Sequence, residues 1–462
     1  MMKSKKCLVA LSVLLVLSPL AFANGLNLNS IGTRALSMGG AFVGLANDFS
    51  AIYWNPAGLA FFKNKTFGLF GVDIIPSGTY KLTVPYSLGK YIFPGSTTDT
   101  TPIDTKTQTK HYFAGMAAYI HPISENLVAA IGVYTPSGLG SSWDGTQLSF
   151  ISGGQTNIEW MSKIGMVTIA PTLAYKISDK FSLAASFNIN YGMFDIKMYG
   201  GSVDLTAIGI PNTAYNMGQY EESETGWGVG ATIGLLFKPD DKTSIGLTFR
   251  TPSKVKFSGD ATLANLGALP IGALSTSPLD REITWPMWIA VGLAFNPAEK
   301  LTLTFDGQWT QWSKIFELKA NYTGAVWGTL MAMTKKDILP MYWDDKMQIR
   351  FGAEYRLSTA LALRAGYYID KSPSPNKTMN ILLPSYDFQV VTFGLGYSLG
   401  SLLLEAGFEY LIGADRDIPF AKTFNKPPIP NPMYDLDYAR AVPGLYGMKI
   451  FAPTISITYK FN

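Results

Sequence analysis

Thr454-Ile455-Ser456-Ile457-Thr458-Tyr459-Lys460-Phe461 alternates polar and apolar side chains without a break. Successive side chains of a strand point to opposite faces, so this stretch predicts a strand with one apolar face, ending in aromatics, and one polar face. The same period recurs upstream. Phe181, Leu183, Ala185, Phe187, Ile189 and Tyr191 alternate with Ser182, Ala184, Ser186, Asn188 and Asn190. Leu301, Leu303, Phe305 and Trp309 alternate with Thr302, Thr304, Asp306 and Gln308. Met347, Ile349, Phe351, Ala353 and Tyr355 form another such face, and Val391, Phe393, Leu395 and Tyr397 another.

Three features point to a membrane barrel rather than a soluble sandwich. The apolar faces often end in Tyr, Trp or Phe, as an interfacial girdle does. The opposite faces carry Arg, Glu, Asp, Gln, Ser and Gly, which suits a wet lumen. The connections come in two lengths. Short turns are expected at 124–126, 178–180, 240–242, 298–300, 358–359 and 400. Longer segments are expected over 84–109, 135–163, 192–225, 257–283, 313–342, 371–386 and 412–447. This spacing predicts an all-β fold: a transmembrane antiparallel barrel of about fourteen strands with both termini periplasmic. Closure satisfies every backbone group in a solvent that offers no hydrogen bonds, and it removes sheet edges.

The composition agrees. Of 462 residues, 47% are hydrophobic and 13% aromatic, too many for a disordered chain. Beyond the first 23 residues no uncharged apolar run is long enough for a spanning helix. That opening segment is basic at Lys3, Lys5 and Lys6, apolar over Leu8 to Leu17, and ends Ala21-Phe22-Ala23. It reads as a secretory signal peptide over 1–23, cleaved after Ala23. No small-residue lipobox precedes Cys7, the one cysteine, so a lipoprotein is not expected. Lys+Arg totals 37 against 33 Asp+Glu, and three of those lysines lie in the leader. The remainder is near neutral and carries no basic stripe for nucleic acid.

Residues 24–62 do not read as strand. Small residues and turn formers dominate, and a fourteen-strand barrel is wider than its own side chains can fill. This segment is expected to fold inside as a plug, leaving 63–462 as the barrel. Arg34-Ala-Leu-Ser-Met-Gly39-Gly40-Ala-Phe-Val43, followed by Asp48-Phe-Ser-Ala-Ile-Tyr53-Trp54-Asn55-Pro56-Ala57-Gly-Leu59, resembles the hatch of the FadL/TodX outer-membrane transporters, with Asn55-Pro56-Ala57 matching their Asn-Pro-Ala signature. Pro136-Ser-Gly138-Leu139 and Pro171-Thr-Leu-Ala-Tyr-Lys176 add to the likeness. One departure is the end of the chain, where Asn462 follows Phe461 in place of a terminal aromatic.

The resemblance implies passive uptake of long-chain fatty acids or monoaromatic hydrocarbons. Ligand would be caught on an apolar outer groove in the third and fourth loops, gated by a hatch, and released sideways at a kinked third strand. Apolar residues that fit the groove are Met193, Phe194, Ile196, Met198 and Tyr199, then Leu263, Leu266, Leu269, Ile271 and Leu274, then Val326, Trp327, Leu330, Met331 and Met333. For the exit, Pro136 and Gly138 interrupt an otherwise regular strand, with Gly132 as a second break point. For the gate, Asn55-Pro56-Ala57 is a turn signal and Gly39-Gly40 sits beside it. Tyr53 and Trp54 are the first pocket-lining expectations. Arg350, Glu354, Arg356, Arg364, Asp370, Glu405 and Glu409 read as a lumen network bracing barrel and hatch.

Other classes fit less well. An enzyme would need a base near a nucleophile, and the two histidines, His111 and His121, fall near opposite ends of one strand, about 33 Å apart. No zinc, hydrolase or phosphate-loop motif is present, and no cofactor or metal is expected. The alternatives are a diffusion porin for hydrophilic solutes or a non-transporting adhesin barrel. Expected partners are the hydrophobic ligand, outer-membrane lipid and the barrel-assembly machinery, with the protein a monomer.

Overall fold

The computed structural model describes residues 25–29, 31–204, 214–269, 272 and 274–461. The signal peptide expected over 1–23 lies outside the described residues, as does Ile271. Fourteen antiparallel strands close into one barrel. They are β1 (Thr66–Val84), β2 (Thr100–Lys106 and Tyr112–Pro122), β3 (Leu127–Trp143), β4 (Trp160–Ser178), β5 (Phe181–Tyr199), β6 (Gln219–Phe237) and β7 (Thr243–Arg250 and Ser253–Leu263). They continue as β8 (Thr276–Trp285 and Trp288–Ala298), β9 (Leu301–Thr310 and Glu317–Tyr322), β10 (Ile338–Pro340 and Lys346–Arg356), β11 (Leu361–Asp370), β12 (Phe388–Leu399), β13 (Leu402–Gly413) and β14 (Gly444–Lys460). β1 pairs with β14 from Thr66↔Lys460 to Lys81↔Leu445, which closes the wall.

The alternation sets the two faces. Ile455, Ile457 and Tyr459 are exposed on the outer wall, while Thr454, Ser456 and Thr458 are buried inside. Tyr119, Tyr175, Phe237, Phe295, Tyr355, Tyr397 and Tyr459 are all exposed near the short-turn end and form an aromatic row. Among the described residues no helix is long and apolar enough to cross a membrane; the strands do the crossing.

The long connections are shorter than the sequence suggests. Residues 135–143, 160–163, 192–199, 219–225, 257–263 and 276–283 belong to strands. The cause is a change in what faces outward. Above Trp227, exposed on the outer wall of β6, outward positions turn polar: Glu221, Ser223 and Thr225 on β6, Lys254 and Lys256 on β7, Asp280 and Glu282 on β8. Inward positions there become apolar: Phe194 and Ile196 on β5, Val255 and Phe257 on β7, Ile283 and Trp285 on β8. The alternation persists with its sense reversed, so the wall stands above the bilayer as a sleeve with an apolar lining.

Residues 25–29 and 31–62 lie mostly buried against the inner face of the wall. They form α1 (Thr33–Ser37), α2 (Ala51–Trp54) and a 3-10 turn (Pro56–Phe61). Their backbone runs against inward glycines of the wall. A Cβ at Gly366 would overlap the Gly39 amide, and one at Gly394 would overlap Ser37 Oγ. Gly366→Ala is expected to displace this segment and to cost about 1–3 kcal/mol, the usual penalty of overpacking. Thermal unfolding in detergent, with limited proteolysis of the N-terminal segment, checks this.

Candidate functional site

The site is built in two storeys. The lower one is polar and holds the N-terminal segment in place. Arg34 of α1 donates to both Glu354 carboxylate oxygens, at 2.7 and 2.9 Å. Arg364 bridges Glu354 at 2.7 Å and Glu405 at 2.8 Å. Two guanidiniums and two carboxylates thus form one buried chain from the segment to β10, β11 and β13. Arg350 donates to the carbonyls of Asn29 and Gly39 and lies over the Trp54 and Tyr368 rings. Asp306 of β9 accepts the Val43 amide at 2.7 Å. Asn29 also bonds Asp370, and Tyr368 donates to Glu409. Of the seven charged residues read as a bracing network, Arg356 alone is largely exposed, at the rim.

The gate residues expected from sequence are part of this packing. Asn55 caps the 3-10 turn, accepting from the Ala57 amide at 3.2 Å, and its Nδ2 donates to the Val43 and Leu235 carbonyls. Pro56 occupies the first position of that turn, where its missing N–H costs nothing. Gly39 and Gly40, at φ 64° and 67°, turn the chain out of α1.

The upper storey is the apolar sleeve, and the N-terminal segment ends at its floor. Tyr53 stands at that floor, edge-on to Tyr134 at 5.6 Å. Arg250 lies over both the Tyr53 and Trp288 rings, 4.5 and 4.9 Å from their centroids. It donates to Thr232 Oγ1 and to the Tyr53 carbonyl. Among the described residues no carboxylate lies within ion-pair distance of it. A cavity of about 20 Å³ borders Arg250, Tyr134, Met166, Trp285 and Trp288, room for about one water. Trp54 is deeper, donating to the Ile31 carbonyl. Arg250, Trp285 and Trp288 were not singled out in the sequence; their signal is the break at Pro252 and Pro286, which bends both strands at one level.

The roof is made by the 371–387 connection. Met379, Ile381, Leu382 and Leu383 are buried, and the Ile381 carbonyl accepts from Trp143 Nε1 at 2.9 Å. Arg416 stitches this loop through the Ser374 and Ser385 carbonyls; burial pulls its guanidinium below the ordinary arginine value. Phe194 and Ile196 face into the sleeve from β5. Leu263, Leu266 and Leu269 pack with Trp327, Leu330 and Met331 in a separate buried cluster at the outer rim, while Leu274 and Met333 stay exposed.

One side of the site opens in the wall. β2 and β3 pair from Pro122↔Val128 to Met116↔Tyr134, and the pairing stops there. They meet again only at Thr107↔Trp143. Between these points β3 stays on β4 with a register shift between Tyr134 and Ser137. The extra residue reverses which side chains face inward: Tyr134 below and Ser137 above both point into the barrel. The result is a slot flanked by 108–115 and 135–141. Leu26–Leu28 lies across it as an extra strand, with the Leu28 amide donating to the Pro136 carbonyl and the Gly138 amide to the Leu26 carbonyl. Pro136 and Gly138 are thus at the break, while Gly132 pairs regularly on both sides.

The model of the outer membrane protein transport protein family (OMPP1/FadL/TodX) matches residues 14–440. The chain belongs to this family. It is an outer-membrane β-barrel of a transport family, not an enzyme. A long-chain fatty acid transport protein of Escherichia coli O6:H1 is 25% identical over 440 residues, covering 88% of this chain and 91% of the relative. A FadL homologue of Pseudomonas aeruginosa superposes with a TM-score of 0.74 at 20% identity, over 95% of this chain and 100% of that one. The toluene transporter TodX of Pseudomonas putida gives 0.66 at 17% identity, over 95% and 100%.

The lower network makes a direct prediction. Glu354→Ala leaves Arg34 and Arg364 buried without their shared carboxylate, an uncompensated charge that costs about 3–5 kcal/mol. The expected result is a barrel that still inserts, with a lowered unfolding midpoint and raised ion conductance in planar bilayers.

Proposed function

We propose that this barrel takes up long-chain fatty acids across the outer membrane by passive diffusion, with the N-terminal segment as a ligand-gated hatch and the β2–β3 slot as a lateral exit. The carrying observation is the slot itself: an interruption of the ladder, level with the sleeve floor, covered from inside by Leu26–Leu28. Each methylene moved from an apolar site into water costs about 0.8 kcal/mol. A long acyl chain leaving sideways into lipid avoids that cost, whereas one leaving downward would meet the polar lower storey.

Relatives of the chain are described as transporters of long-chain fatty acids and of toluene. Arg250 favours the acid. A guanidinium without a carboxylate partner, held between two rings beside the cavity, suits a carboxylate head, while the apolar lining takes the chain. The cavity is too small for the ligand in this conformation, which supports gating: Leu26–Leu28 must leave the slot before a chain can pass. A filled lumen also argues against open diffusion of hydrophilic solutes.

Asn27 and Ser137 face each other across the covered slot, their side chains 3.3 Å apart. Asn27→Cys with Ser137→Cys is expected to form a disulfide that holds the cover shut, since bridge partners lie within disulfide reach. Labelled oleate uptake by cells lacking their own transporter should fall to background when oxidised and return on reduction. Uptake unaffected by the bond would refute the lateral exit, and uptake of labelled toluene in place of oleate would move the substrate class to aromatic hydrocarbons.

A further inference from the structure

His111 and Asp73 form an ion-pair contact of 2.7 Å through His111 Nδ1. Both lie on the outer wall. Inward positions of β1 are even-numbered, with Phe70, Val72 and Ile74 buried, so Asp73 points outward. Asp73 pairs in register with Phe113, itself exposed, and His111 lies two residues before Phe113 on the same face. Ile75 and Phe113 are its outward neighbours. An aspartate among them is out of place in a lipid-facing row, and ionisable groups kept at such positions mark function more often than stability. A second feature is independent of the pair's position. Asp73 Oδ1 is buried and has no hydrogen-bond partner among the described residues. His111 is half exposed, with its Nε2 not engaged by Asp73.

The placement is specific. His111 stands on the β2 flank of the slot, at the point where β2 has left β3. Anything leaving through the slot into the bilayer passes it. For a fatty acid the obstacle at that point is its head. A carboxylate entering hydrocarbon pays a large desolvation penalty, while the neutral acid does not.

We infer that the His111–Asp73 pair is a carboxylate-receiving site at the exit, where the departing ligand is neutralised. This rests on the fatty-acid and lateral-exit reading above. The imidazolium, held by Asp73 through Nδ1–H, donates its Nε2 proton to a ligand carboxylate oxygen. The N–H bond breaks, an O–H bond forms, and the acid departs uncharged. The neutral imidazole regains a proton from water reaching the half-exposed ring. Asp73 holds Nδ1 of the ring and acts as the positioning residue.

The test compares labelled oleate with labelled methyl oleate, which has the same chain and no ionisable head. At equal surface levels of barrel, His111→Gln is expected to lower oleate uptake about ten-fold, less than the ~10²–10⁴-fold a positioned proton donor supplies to a chemical step, and to leave methyl oleate uptake unchanged. Asp73→Asn should act in the same direction with a smaller loss. Equal losses for acid and ester, or no loss for either, would overturn the inference, since a merely structural pair cannot tell the two apart. A wild-type chain that moves neither compound would overturn the transport reading and this site with it.

Discussion

The backbone ladder between β1 and β14 is the contact on which everything else depends. Lipid offers no hydrogen bonds, so a wall of strands survives there only when its first and last members pair. The register from Thr66↔Lys460 to Lys81↔Leu445 does this over the height of the membrane. Closure then creates a second demand. A fourteen-strand cylinder encloses more space than its inward side chains occupy, and residues 25–62 supply the missing volume. The wall meets them with glycines and with buried charges matched in sign. Against that continuity the one stretch where β2 and β3 part stands out. Unpaired strand edges are costly, and here Leu26–Leu28 partly makes up the loss by pairing with β3.

The vertical division of chemistry follows from the same geometry. In the bilayer, outward must be apolar, so inward is polar and suits a hydrogen-bonded plug. Above the bilayer, outward meets water, and inward is free to become apolar. The apolar lining therefore sits in the sleeve, above a floor formed by Tyr53, Arg250 and Trp288. The exception within the sleeve is Arg281, bridged to Glu222 at 2.6 Å and to Glu224 at 2.7 Å. This buried triad braces β6 against β8 from inside, while Lys163–Asp195, Lys197–Glu221 and Lys254–Glu282 pair neighbouring strands on the outer face.

Much of this was legible in the sequence, for definite reasons. Period two over Thr454–Phe461 and its repeats marks strands wherever one side meets lipid. The hatch motif marks the N-terminal segment because only small residues can approach the wall so closely. The extent of the sleeve was not legible. There the polar face looks outward and the apolar face inward, and Glu221 to Thr225 or Phe257 to Leu263 read as loop when judged by membrane rules. The residues around the cavity were hidden for another reason: Tyr134, Met166, Arg250, Trp285 and Trp288 come from β3, β4, β7 and β8, and periodicity carries no information on which strands meet. His111 cannot pair with His121 along the strand; its partner is Asp73, on the neighbouring strand, which the linear sequence does not bring near it.

The most direct test is to follow the ligand through the wall. A photoreactive fatty acid, activated in intact cells during uptake and mapped by mass spectrometry of the barrel, reports which residues it touches. The expected result is adducts on the interior at Tyr134, Met166 or Trp288 together with adducts on the outer wall at Phe113, beside the slot. Active uptake with adducts confined to exposed rim residues such as Leu274 and Met333, and none in the interior or at the slot, would contradict passage by this route.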